Sequence, residues 1–205
     1  MKILHNLLIT ITLSAFATVA YPQTATKAFI HIPDDVIPFT NEEMRDILCH
    51  KYAEMHSDSD NVNVNIETAY GGFMSIKKAN ESFMEVELSK NSSIEIIVDT
   101  LKEHCIYTIR NYMAPAADTQ IDQWTADWKH IRTIKPQYGV DDFLSPDLST
   151  RERDEALKLV ELPMYEAHWI EQEQQIELKL SLPLVTKEDK QKYEKYYTSK
   201  RITLD

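Results

Sequence analysis

The spacing of apolar residues along the chain changes period several times, and each change marks an element. Residues 7–19 form a run, LLITITLSAFATV, without a charge. Further on, Met44, Ile47, Leu48, Tyr52 and Met55 recur at helical spacing and predict one apolar face on a helix over residues 41–56. Thr40 and Glu43 frame its start as a capping box, Thr40 accepting from an early N–H and Glu43 reaching back. Residues 21–39, punctuated by Pro33 and Pro38, read as the approach to that helix. The polar run 56–61 ends it.

Beyond residue 61 the period becomes two. Val62, Val64 and Ile66 alternate with Asn63, Asn65 and Glu67, the mark of a half-buried strand. Gly71 and Gly72 mark a turn. Phe83, Glu85 and Glu87 alternate with Met84, Val86 and Leu88, and residues 93–99 carry Ile94, Ile96, Ile97 and Val98. Residues 105–112 set Tyr107, Ile109 and Asn111 against Ile106, Thr108, Arg110 and Tyr112. A turn at 114–118 precedes a strand over 120–128. Short connections with no helix-length crossover predict an antiparallel meander.

Residues 132–148, broken by Pro136 and Pro146, read as irregular. Ser149 and Glu152 repeat the capping-box signature ahead of a short helix ending at Val160. Residues 165–182 supply one or two strands, with Ile176, Leu178, Leu180 and Leu182 alternating against Glu177, Lys179 and Ser181. Thr186 caps a charged segment, 187–196, that is helical by propensity. The expected fold is α+β: an antiparallel sheet meander with an N-terminal amphipathic helix packed on one face and short peripheral helices.

The apolar run takes on meaning from its flanks. Met1-Lys2 is a positive start, and the small residues Thr18 and Ala20 close the run, the layout of a secretory signal peptide. With His5, Asn6 and several threonines it is a poor match to the ~20 predominantly apolar residues of a membrane span. A lipoprotein needs a cysteine at the cleavage site, whereas the cysteines here are Cys49 and Cys105. The expected organisation is a signal peptide at 1–20 and a single α+β domain at 21–205, periplasmic or secreted, soluble after cleavage and without a membrane span. Cys49 on a helix and Cys105 on a strand allow either one bridge or two free thiols.

Charge narrows the partners. With 33 Asp+Glu against 22 Lys+Arg and a formal charge of −11, nucleic acid is an unsuitable partner, since phosphate neutralisation draws on lysine and arginine. An anionic membrane surface is repelled for the same reason. Three glycines in the chain speak against a glycine-cradled phosphate site.

Catalytic motifs are absent from the sequence. HExxH and G-x-S-x-G do not occur, and His50 and His56 are spaced six apart rather than four. Counted from Asp58, an EF-hand fails, with Asn63 and Ala69 where glycine and glutamate belong. No catalytic, cofactor-binding or metal-ligating residue is assigned, and no cofactor is called for. The remaining chemistry is aromatic. Trp124 and Trp128 share parity and could share a sheet face near Tyr112, with Asp122, Asp127 and Asp118 as a polar rim. Such a platform suits a glycan or an envelope protein; packing in the core beneath the helix is the alternative. The leading expectation is therefore a non-enzymatic binding or interaction module of the cell envelope. The alternatives are a small envelope hydrolase with a dispersed active site and an assembly factor that pairs through a strand edge.

Three stretches carry a resemblance. FIHIPDDVIPFTNEEMRDILCHKY at 29–52 has a Phe, a Pro-Asp and a second Pro ahead of the first helix. IYTIRNYMAPAADTQIDQWTADWKHI at 106–131 runs from a strand through an Ala-Pro-Ala turn into an Asp-Trp pair. LSLPLVTKEDKQKYEKYYTSKRITLD closes the chain. Together they resemble an uncharacterised exported family of Bacteroidales, the domain-of-unknown-function family 3256. Met113 stands where relatives often have a cysteine before Ala-Pro-Ala. The resemblance implies an exported setting and brings no activity with it.

Overall fold

The computed structural model describes residues 24–56, 64–99, 105–113, 117–160, 163–182 and 193–204. The expected signal peptide, most of the turn at 114–118 and the segment beginning at Thr186, as far as residue 192, lie outside the described residues. Seven strands follow one another in an antiparallel meander: β1 (Asn65–Glu67), β2 (Phe73–Ala79), β3 (Phe83–Ser89), β4 (Ser92–Asp99), β5 (Cys105–Tyr112), β6 (Asp118–Trp124) and β7 (His130–Ile134). A second antiparallel sheet has β8 (Tyr165–Ile170) at one edge, β9 (Gln175–Leu180) in the centre and β10 (Lys200–Thr203) at the other edge. The α+β class and the meander are as the periodicity predicts. The second sheet is new, as are β2, β7 and β10.

Each helix forms for a local reason. In α1 (Ala25–Ile30) the Thr24 hydroxyl accepts from Lys27 N–H at 3.2 Å, and Ala25, Ala28 and Phe29 are fully buried. Residues read as a mere approach thus begin the core. In α2 (Glu42–His56) the cap is Asn41, whose Oδ1 accepts from Met44 N–H at 2.9 Å, rather than Thr40. The buried side of α2 is Arg45, Leu48 and Cys49, while Ile47 and Met55 of the expected apolar face are exposed. Arg45 explains the rotation. Its buried guanidinium donates to the carbonyls of Ile30 (3.0 Å), Ile32 (2.6 Å) and Thr40 (3.2 Å) and to Asp34 Oδ1 (3.0 Å). One side chain thereby satisfies the carbonyls of the Pro-rich connection and pulls its own helical face inward. The short helices are α3 (Val140–Phe143) and α4 (Thr150–Leu159); Ser149 and Glu152 form the expected capping box on α4.

Two cores lie on opposite faces of the large sheet. On its helical face, α1 and α2 pack over β1–β4 against Met74, Ile76, Met84, Val86, Ile94, Ile96 and Val98. On its sandwich face, Ile97, Tyr107, Ile109 and Ile121 meet Tyr165, Ala167, Ile176 and Leu178 of the small sheet. Covered on both sides, β4 is buried from Ile94 to Val98. Cys49 sits in the first core and Cys105 borders the second. The sheet separates them, so both are free thiols. Burial pushes the Cys49 thiol up to about 12. Among the described residues no helix is long and apolar enough to cross a membrane.

The two coverings are offset. Among the described residues the helices do not reach the β5–β7 half of the helical face, which the 125–129 turn covers with Trp128, and the small sheet reaches β3 only at Phe83, leaving the rest of the β1–β3 half of the sandwich face open.

Candidate functional site

The aromatic–acidic cluster lies at the first of these halves. Trp124 ends β6, and a turn closed by Thr125 N–H to Lys129 C=O (2.9 Å) folds Trp128 back over the helical face. Trp128 adopts φ +61°, a left-handed conformation that a side chain tolerates only under local constraint. The indoles meet edge to face with centroids 5.7 Å apart, and Trp124 Nε1 donates to Thr108 Oγ1 at 2.9 Å. They share a face as expected, through a turn rather than along a regular strand. Their exposures are 9% and 8%, so the indoles do not form an exposed platform; the core-packing alternative describes them. Trp128 Nε1 finds no acceptor among the described residues.

The expected rim divides. Asp122, 1% exposed, accepts from Arg110 Nη2 (3.0 Å), Gln120 Nε2 (2.8 Å) and Thr133 Oγ1 (2.6 Å), with His130 Nε2 at 3.3 Å. It knits β5, β6 and β7 together, and its lone pairs are spent internally. Asp127 serves the turn: hydrogen bonds from Lys129 and then Thr125 hold its carboxyl below the usual range. Tyr112 and Asp118 are exposed at the far ends of β5 and β6, away from the indoles.

A second cluster, absent from the sequence reading, ties the sheets together. Strand β8 is an edge, and its outward groups find side chains in place of another strand. Asn111 donates to Ala167 C=O (2.8 Å) and accepts from Ala167 N–H (3.1 Å), while Glu95 Oε2 accepts from Trp169 N–H (2.7 Å). His168 donates to Glu166 Oε1 (3.1 Å) and Glu95 Oε1 (2.6 Å), so both ring nitrogens carry protons. The bond to Glu166, then that to Glu95, raises its pKa to about 10. His168 is thus a fixed cation at neutral pH, poorly matched to acid–base exchange. Glu85, directly opposite Glu95, has its carboxyl pushed up by burial and then by Glu95. One signal did point here: Glu95 is a lone charge between isoleucines in a strand apolar on both faces.

The open half of the sandwich face carries the groove. The β1–β2 turn is closed by Thr68 N–H to Gly72 C=O (2.8 Å) and Gly72 N–H to Thr68 Oγ1 (3.1 Å), and Gly71 supplies φ +76°. This places Tyr70 at the tip, 78% exposed, and Phe73 at the start of β2, 61% exposed. Beside Phe73 a groove of about 460 Å³ is lined by Asn65, Ser75, Lys77, Glu87, Ser89 and Asn91 among others. Lys77 and Glu87 are ion-paired across its floor. The volume lies in the range of small-molecule and cofactor sites. Gly71-Gly72 is the turn that the sequence predicts, whereas β2 and Phe73 at its start are not among the predicted elements. Among the described residues no group of three His, Cys, Asp or Glu is placed to hold a metal ion.

Comparison with known proteins yields fold and family. Over 85% of this chain and 91% of the other, the structure is similar to a domain of an uncharacterized protein from Porphyromonas gingivalis W83, with a TM-score of 0.64 and 17% identity. That identity speaks for the fold alone. No curated protein matches the sequence. The family described as protein of unknown function, DUF3256, matches residues 17–205, and the chain belongs to that family.

Proposed function

We propose that the protein is exported by residues 1–20 and acts in the periplasm or outside the cell as a non-enzymatic glycan-binding module. Its site is the groove on the open half of the sandwich face. The observation that carries this reading is Phe73, an exposed ring beside a groove whose other walls are amides, hydroxyls, the Lys77–Glu87 ion pair and Lys90 at its margin. A ring covers the C–H face of a sugar while amides and hydroxyls exchange hydrogen bonds with its hydroxyl groups. A protein partner asks for a buried apolar anchor site, which this lining does not offer. The ring presented to the ligand is Phe73, while Trp124 and Trp128 are packed inside.

Isothermal titration of the mature chain with neutral hexasaccharides (gluco-, xylo- and manno-series) tests it. At least one series binds, and Phe73→Ala weakens binding by about tenfold, equivalent to ~1.4 kcal/mol. Silence of all three series at millimolar concentration, or equal binding by the variant, overturns the site. Amino-terminal sequencing of the protein from envelope and culture fractions tests export: a start near residue 21 supports it, and an intact Met1 refutes it.

A further inference from the structure

β7 ends the large sheet, and among the described residues nothing pairs with its outer side. Such an edge presents a row of N–H and C=O groups to any extended chain. The other edges are short or occupied: β1 has 3 residues, β10 has 4, and β8 is capped by Asn111 and Glu95. β7 has 5 residues, and His130 through Thr133 are exposed. A bulge between Gln123 and Trp124 in the β6–β7 register leaves Ile131 as the extra residue, a 47% exposed apolar anchor in mid-strand.

The surroundings are basic in an acidic protein. Residues 128–140 contain Lys129, His130, Arg132 and Lys135 and no Asp or Glu, in a chain of formal charge −11. A groove of about 470 Å³ continues from the end of β7 between Lys135, Tyr138 and Arg201 of β10. Much of this charge is already engaged: Lys129 with Asp127 (2.7 Å), His130 with Asp122 (3.3 Å), Arg132 with Gln123 (2.7 Å), and Arg201 with Glu173 (3.0 Å) and Glu177 (2.5 Å).

We propose that β7 is a docking edge for an extended acidic segment of another protein, which adds to the large sheet as a further strand. Main-chain hydrogen bonds supply the affinity, and carboxylates passing Arg132 and Lys135 supply the selection. A second copy of this chain is the wrong occupant. Antiparallel pairing of two β7 strands about Arg132 sets Arg132 against Arg132 and Lys129 against Lys135, and directly opposed like charges destabilise a sheet.

The test uses the mature chain and three short peptides with blocked ends: alternating Glu and Val, the same peptide N-methylated at alternate residues, and alternating Lys and Val. Amide NMR shifts report the site and titration the affinity. The Glu-Val peptide shifts the amides of β7, and both controls lose binding. Arg132→Glu/Lys135→Glu weakens the Glu-Val peptide by about tenfold, ~1.4 kcal/mol, with an unchanged circular dichroism spectrum. Equal binding of the N-methylated peptide leaves charge alone and overturns the added strand. Equal binding of the Lys-Val peptide overturns the selection. Absence of binding, or a dimer in sedimentation that the double variant dissolves, overturns the occupant.

Discussion

These two half-faces of the large sheet carry similar residue types and put them to opposite uses. On the β5–β7 half, two indoles, an aspartate and an arginine turn inward to one another, with His130 at the rim. Asp122 is 1% exposed and Arg110 17%. On the β1–β3 half, Lys77 and Glu87 pair at 43% and 37% exposure, and the aromatic ring beside them is 61% exposed. An ion pair, an aromatic and a polar rim are thus a stabilising knot in one place and a presented surface in the other. Composition does not separate the cases. The 125–129 turn does, because it returns Trp128 over its own strand, whereas the Gly71–Gly72 turn leaves Phe73 outside.

The difference is measurable as stability. Asp122→Ala removes a buried carboxylate and leaves the half-buried Arg110 guanidinium without its counter-charge, and costs about 3–5 kcal/mol in urea unfolding. Glu87→Ala removes the corresponding partner from the open pair and costs at most ~1 kcal/mol. A loss below ~1 kcal/mol for Asp122→Ala would erase the distinction between the halves. Trp124→Ala follows at about 3 kcal/mol, from lost packing on Trp128 and the lost bond to Thr108. A near-neutral result there would return the indoles to the platform reading that the sequence leaves open beside core packing.

A third prediction probes the tie between the sheets. Bonds to Glu166 and Glu95 raise the His168 pKa from the ordinary 6.5 to about 10 in the folded chain. The folded state therefore binds the proton more tightly, and the stabilisation is complete below the lower value and lost as pH rises toward the upper. Unfolding free energy falls between pH 7 and 10, and His168→Gln flattens that fall. Glu85, raised by burial and then by Glu95, acts with the same sign, and its contribution is present in wild type and His168→Gln alike, so the difference between their slopes isolates His168. An unchanged slope in the variant would remove His168 from the tie.

Legibility in the sequence followed the physics of each segment. β3 is legible because Met84, Val86 and Leu88 alternate with Glu85 and Glu87 over a full strand length, and β4 because Ile94, Ile96, Ile97 and Val98 crowd one short run. β2 was hidden by its bulge between Ile76 and Lys78, which breaks the alternation after Ile76. β7 was hidden because an exposed edge has no apolar side to display. The second core was half-visible: Tyr107 and Ile109 oppose Ile106 and Thr108, a strand apolar on both faces that needs a cover on each. What that cover was could not be read, since β8–β10 lie far along the chain. The surroundings of the tryptophans are illegible for the same reason: the two indoles meet through the 125–129 turn rather than by strand parity, and exposure depends on where a turn and two helices land. Glu95 and His168, 73 positions apart, meet only through sheet-on-sheet packing.

The smallest effect is the most discriminating. Phe73 is 61% exposed and stands outside both buried cores, so truncating it removes little apolar area that folding takes from water. Phe73→Ala changes unfolding free energy by no more than about 0.5 kcal/mol, the ordinary range of a surface substitution. Two measurements on this variant therefore answer different questions. Unchanged stability with lost saccharide binding makes Phe73 a presented ring. A loss of ~3 kcal/mol, the scale of a buried aromatic, would mean that Phe73 packs as the indoles do and that the two half-faces are alike after all.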